Sequence, residues 1–156
     1  MTERPRRIVF VCTGNICRSA MAEHLLRHWA KARGLDLETS SCGIAAESWY
    51  EVPEPARRLL AVEGVPPFEH KARLATRETL KDADLILAMT QQHYDRIVGS
   101  YPEFTARTRL FREQAGFGEQ DVADPMGRSD EVFAACLAVL KESLESLLRA
   151  GFRDPA

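Results

Sequence analysis

Residues 8–11, Ile-Val-Phe-Val, are apolar without a break and stop at Cys12. A strand with one face in water alternates polar and apolar side chains, so an unbroken run describes a strand covered on both faces. That is the place of a central strand in a parallel sheet, and it requires helices to carry the chain back to the same edge. Such returns are present. Met21, Leu25, Trp29 and Ala32 recur at helical spacing until Gly34, and "LDLETSSCG" reads as a second strand over residues 37–42. Pro53 to Glu63 reads as a helix closed by Gly64, and "TRETLKDA" as a short helix. "DLILAM" makes another buried strand, followed by a helix over "TQQHYDRIV" with Thr90 as its N-cap. "TRLF", residues 108–111, is a fourth strand. Ser129 caps a final helix whose Val132, Phe133, Cys136, Val139, Leu140, Leu144, Leu147 and Leu148 share one face.

The order β-α-β-α-α-β-α-β-α predicts an α/β fold in three layers: a four-stranded parallel sheet with helices on both faces, joined by right-handed crossovers. With 156 residues, 45% of them hydrophobic, the chain has the length of a single domain over residues 1–156. Long loops are expected at residues 43–52 and 112–127, bordering the same edge. A formal charge of −2 supplies no global attraction for nucleic acid or an anionic membrane, so any anion site has to be local. No apolar run approaches a membrane span, and "MTERPRR" precedes only a strand-length apolar segment, which predicts a cytoplasmic protein. There the four cysteines are expected as thiols, with Cys42 and Cys136 packed in the core. His24, His28, His70 and His93 lack metal-site clustering and are read as structural, so neither metal nor cofactor is expected.

In such a sheet ligands bind at the carboxyl ends of the strands, where residues 12–18 fall. A loop that leaves a buried strand and enters a helix presents successive N–H groups and the positive end of the helix dipole to an anion. Gly14 permits close approach of the backbone, and Asn15 tolerates the left-handed conformation such a nest requires. Arg18, six residues after Cys12, can fold its planar fork back over the loop and grip two oxygens of a tetrahedral anion. A sulfur at the base of the loop feels the same dipoles and guanidinium, conditions that favour a thiolate. A thiolate beneath a bound phosphate is a nucleophile for phosphoryl transfer. The alternative is that Cys12 is a small buried hydrophobe and Arg18 a solvated first-turn residue.

The complete string "VFVCTGNICRSAMAE" closely resembles the signature of the low-molecular-weight protein-tyrosine phosphatase family, and the likeness continues through "SSCGI", "ADLILAMT" and "DVADPMG". The resemblance implies an enzyme without a cofactor that hydrolyses a phosphorylated protein substrate through a phosphocysteine intermediate. Inorganic phosphate or a similar oxyanion would occupy its site. By the same resemblance Cys12 is the nucleophile, and Thr13, Gly14, Asn15, Ile16, Cys17 and Arg18 form the phosphate cradle. Ser19 donates a hydroxyl to the thiolate, Asn15 braces the loop, and Asp124 is the general acid. The acid also has a physical rationale: a carboxyl that protonates the leaving group eases its expulsion, and the resulting carboxylate can activate water against phosphocysteine. Pro125 and Gly127 supply the turn that aims it.

Ile16, Trp49 and Met126 are read as walls of the substrate pocket, with Tyr50 beside them. Met126 stands where many family members place an aromatic, and Ala20 where proline commonly follows the serine. In relatives that hydrolyse phosphoarginine a threonine replaces Ile16, so isoleucine points to phosphotyrosine, with protein-arginine phosphatase activity as the alternative. An arsenate reductase of this fold would need mid-chain resolving cysteines, and residues 43–135 contain none. A non-catalytic phosphate-binding module would have no use for Cys12 and Asp124 together. Cys17 has two readings. It captures an oxidised Cys12 as a disulfide, as similar cysteines do in some relatives, or it is a small packing thiol. Asp121 is read as an exposed carboxylate, with contact to a cationic substrate as its alternative.

Overall fold

The computed structural model describes residues 4–154. Strands β1 (Arg7–Cys12), β2 (Glu38–Gly43), β3 (Leu85–Ala88) and β4 (Thr108–Leu110) form an all-parallel sheet in the order β2-β1-β3-β4. The helices are α1 (Arg18–Ala32), α2 (Glu54–Val62), α3 (Arg77–Leu80), α4 (Gln91–Ser100), α5 (Phe111–Gln114) and α6 (Asp130–Arg149), with a 3₁₀ helix at Pro102–Arg107. β1 is flanked on both sides, with Ile8 opposite Thr39 of β2 and Leu85 of β3. Both of its faces are covered as well, which explains why its sequence shows no polar alternation. Ile8 and Phe10 face one layer with Leu87, packing on Met21 and Leu25 of α1, Leu60 of α2 and Leu140 and Leu144 of α6. Val9, Val11 and Ile86 face the other, against Leu80, Ile97 and Phe104. The three-layer α/β expectation holds.

The helix starts follow from hydroxyl caps. Thr90 accepts from the His93 N–H and Ser129 from the Val132 N–H, as expected at both positions, and Thr76 does the same for the short α3. Two elements differ from the sequence expectation. Phe111 does not extend β4; it opens α5, where its ring meets Phe10 edge-on at 5.5 Å inside the core. The 3₁₀ helix and α5, six and four residues long, are too short to show a periodicity.

The strand order positions the site. From β1 the chain moves outward to β2, then returns to place β3 on the opposite side of β1. The carboxyl end of β1 is therefore a topological switch point, the crevice where open α/β sheets bind ligands. Residues 13–17 lie there and lead into α1, whose N-cap, Cys17, makes no side-chain cap bond. No helix among the described residues is long and apolar enough to cross a membrane.

Candidate active site

The loop after Cys12 is held from behind by Asn15. This residue is fully buried with φ at 61°, a left-handed conformation that an asparagine can adopt at modest cost. Its Nδ2 donates to Ser19 Oγ at 2.9 Å and Ser41 Oγ at 2.7 Å, and its Oδ1 accepts the Arg73 N–H at 3.0 Å. Its carbonyl accepts from His70 Nε2 at 2.6 Å. Every polar group of the side chain is thus partnered, and the loop is pinned to α1, β2 and the segment before α3. In front, none of the N–H groups of residues 14–17 donates to another described residue.

Cys12 is buried, with its sulfur 2.8 Å from Ser19 Oγ. Because that oxygen already accepts from Asn15, the serine proton is left to donate to the sulfur. Arg18 is 5% exposed and extends along the loop. Its Nη1 donates to the Val122 carbonyl at 3.0 Å, while Nη2 is 3.5 Å from Thr13 Oγ1 and 3.7 Å from an Asp124 carboxylate oxygen. Its Nε is buried without a partner. An unpaired buried guanidinium N–H is costly in a folded protein, and an oxyanion in the loop would satisfy it together with Nη2 as one bidentate edge.

The loop carrying the acid is tied to the sheet through Val122, whose N–H donates to the Met89 carbonyl at 2.8 Å while its carbonyl receives Arg18. Two residues on, Asp124 is half-exposed and its Oδ1 accepts the Met126 N–H at 3.0 Å, so the turn after it orients the carboxyl. A cavity of about 580 Å³ opens over Cys12, Thr13, Arg18 and Asp124. Ile16, Trp49, Tyr50 and Met126 wall it, and Glu51 adds a second carboxylate. The loops at 43–52 and 112–127 do border one edge. Asp121 lies outside this cavity; it accepts the Gln91 N–H at 2.9 Å and so serves the first turn of α4.

Cys17 forms part of the cavity wall, and its thiol donates to Met126 Sδ at 3.5 Å. Burial, reinforced by Cys12, Asp124 and Cys136, pushes it up to about 12, so it stands as a thiol at neutral pH. Cys42 and Cys136 are buried as expected, and burial raises both to about 12. All four cysteines are free.

The expectation that the histidines do not cluster is overturned. Glu23, His24 and His70 bring metal-type ligand atoms to within 4.8 Å of one another, a grouping their spacing hid because α1 and the 65–76 loop meet only in the fold. The atoms are engaged with protein partners. His24 and His70 share a hydrogen bond of 2.9 Å, Glu23 accepts from Ser41 and Arg27, and Arg27 Nη1 is 3.4 Å from His24 Nδ1. With His70 Nε2–H committed to the Asn15 carbonyl, the shared proton belongs to His24 Nε2, and a guanidinium occupies the remaining side of the group. The chemistry is that of a brace behind the loop. Burial lowers His70 and lowers His24 to about 4, so both are neutral at pH 7. Sequence reasoning missed Glu23, Ser41, His70, Arg73 and His93 as supports of the loop; Glu23 ends the motif string, but its partner Ser41 lies far along the chain.

The chain matches the family of low molecular weight phosphotyrosine protein phosphatases over residues 7–154. It is 33% identical to a protein-arginine-phosphatase of Bacillus subtilis, across 94% of this chain and 97% of that protein. It is 32% identical to AmsI of Erwinia amylovora, a probable low molecular weight protein-tyrosine-phosphatase, across 92% of this chain and 95% of that one. The crystal structure of a low molecular weight protein tyrosine phosphatase from T. tengcongensis superimposes with a TM-score of 0.88 at 36% identity, covering 93% of this chain and 99% of the other. With the sulfur, the arginine fork and the carboxyl gathered at the end of β1, this chain belongs to the low molecular weight phosphotyrosine protein phosphatases, a family of hydrolytic enzymes.

Proposed function

We propose that the protein hydrolyses phosphotyrosine in protein substrates, with Cys12 as nucleophile and Asp124 as general acid and base. The Cys12 sulfur attacks phosphorus as Asp124 protonates the departing phenolic oxygen. Asp124 then takes a proton from water as that water releases phosphate from phosphocysteine. Arg18 and the loop N–H groups of residues 13–18 hold the phosphoryl oxygens throughout, and Ser19 steadies the sulfur when it leaves. The observation that carries the substrate class is the cavity wall. Ile16, Trp49, Tyr50 and Met126 give the cavity over the cradle apolar and aromatic walls suited to a phenyl ring, and Trp49 and Tyr50 meet edge-on at 4.6 Å.

A second reading has its own support. Glu51 and Asp124 are two carboxylates at the mouth, suited to the cation of a phosphoarginine side chain, and relatives named as arginine phosphatases match the chain over nearly its whole length. Comparing kcat/KM on phosphotyrosine and phosphoarginine peptides of the same sequence separates the two. Preference for phosphotyrosine is expected. Ile16→Thr is expected to move the ratio toward phosphoarginine by about tenfold to a hundredfold, the worth of one polar contact. Cys12→Ser abolishes turnover of either ester; retained turnover removes the proposed nucleophile, and a wild type that prefers phosphoarginine exchanges the two readings.

A further inference from the structure

His93 does not line the cavity and has no role in the reaction proposed above, yet it is 1% exposed and within hydrogen-bond reach of Thr13, the cradle residue next to Cys12. Its backbone occupies the third position of α4, where it completes a capping box with Thr90. The Thr90 N–H lies 3.2 Å from His93 Nδ1. A backbone N–H can only donate, so Nδ1 accepts and the ring proton is on Nε2. That proton points at Thr13 Oγ1, 2.9 Å away. The same oxygen lies 3.5 Å from Arg18 Nη2.

Two donors converge on the Thr13 oxygen, and the proton of the hydroxyl itself has no acceptor among the described residues. Thr13 is exposed and lines the cavity with Cys12, Arg18 and Asp124, so the free direction of that hydroxyl is the anion site. We propose that His93 is a positioning residue that holds the Thr13 hydroxyl as a side-chain donor to the phosphoryl oxygens, beside the backbone cradle. A glutamate or glutamine would complete the capping box equally well, so helix capping alone does not call for an imidazole here. Burial and the neighbouring Arg18 lower His93 to about 4, which keeps the ring neutral, with one accepting and one donating nitrogen, at pH 7.

The inference rests on the phosphatase reading, and two isosteric changes separate it from a capping role. His93→Asn keeps an acceptor where Nδ1 stands and removes the donor to Thr13; His93→Gln offers both an amide oxygen for the cap and an amide N–H for Thr13. Each is combined with Thr13→Val, which deletes the hydroxyl at nearly constant shape, and Thr13→Ser serves as the rescue. Orthovanadate inhibition and kcat/KM on p-nitrophenyl phosphate are read for all of them, with thermal melting as the fold check. His93→Asn is expected to weaken vanadate binding roughly tenfold, and His93→Gln much less, the scale of one hydrogen bond to an anion. In the Thr13→Val background both changes lose their effect on vanadate, and Thr13→Ser retains it. Equal losses from His93→Asn with Thr13 intact and in the Thr13→Val background, or a loss that tracks melting temperature alone, overturn the proposal. A wild type without turnover of p-nitrophenyl phosphate overturns the phosphatase reading instead.

Discussion

Gly43, the last residue of β2, is opposite Cys12 in the sheet and presses directly on the phosphate loop. A Cβ built on it would stand 2.4 Å from the Thr13 carbonyl oxygen, 2.9 Å from the Asn15 nitrogen and 3.0 Å from the Thr13 carbonyl carbon. Ordinary contact begins near 3.4 Å, so in Gly43→Ala the Thr13 carbonyl must retreat by about 1 Å. Neither side yields freely. Gly43 N–H donates to the Arg73 carbonyl and its own carbonyl accepts from Ala75, while the Thr13 carbonyl accepts from Ala45 at 2.9 Å. The displacement therefore falls on the residues that cradle the oxyanion. A shift of about 1 Å in positioned groups costs on the order of a hundredfold in rate. The overpacking itself costs about 1–3 kcal/mol. In a chain of this length each of those lowers the melting temperature by about 2–4 °C. Steady-state kcat/KM on p-nitrophenyl phosphate and the inhibition constant for inorganic phosphate read the damage to the cradle, and a thermal melt reads the overpacking. Gly99→Ala is the control, because a Cβ there in α4 meets nothing within 4 Å. A Gly43→Ala enzyme with both kcat/KM and melting temperature at wild-type values refutes the claim that this contact shapes the loop.

Three further outcomes follow from the site and its supports. Asp124→Asn slows hydrolysis of phosphotyrosine far more than of p-nitrophenyl phosphate, since only the poorer leaving group needs its proton; equal slowing of both removes the acid from Asp124. Burial lowers His24 and His93 to about 4 from 6.5, so between those values the unfolded chain binds protons the folded one refuses. Their contribution is complete above about pH 6.5 and declines as pH falls toward 4, by about 3 kcal/mol per histidine. Urea unfolding at pH 7 and pH 5 measures it, and the slope should lessen in His24→Gln; a stability that does not change over this interval contradicts the buried neutral assignment. Peroxide converts Cys12 to the sulfenic acid, and Cys17 condenses with it to a disulfide and water, so dithiothreitol restores wild type but not Cys17→Ser. Mass spectrometry without a Cys12 to Cys17 link, or full recovery of Cys17→Ser, leaves Cys17 as a packing thiol.

The parts of this protein that could be read from the sequence are those in which partners are neighbours in the chain. An unbroken apolar run, a Gly-Asn turn and a helix start within one stretch suffice to define a strand, an anion-binding loop and the dipole behind it, and Cys12 and Arg18 lie six residues apart in that loop. Asp124 stood out through its Asp-Pro-Met-Gly turn and the family likeness, but its distance from Cys12 did not. What makes the loop rigid comes from far away: Asn15 is held by Ser41, His70 and Arg73, at separations of 26, 55 and 58 residues, and Thr13 by His93 at 80. No local pattern encodes those contacts, because they depend on which side of β1 receives β2 and which receives β3. The same holds for Cys17. Its place in the loop suggested chemistry, whereas burial under Met126 and beside Cys136 decides that it rests as a thiol. Sequence alone determined the alternation of strands and helices and the short loop in which Cys12 and Arg18 stand six residues apart, since both follow from periodicity and short spacing. Tertiary structure alone decided the strand order, the tautomers of His70 and His93 and the depth of each thiol, since desolvation and long-range hydrogen bonds exist only once the layers have packed.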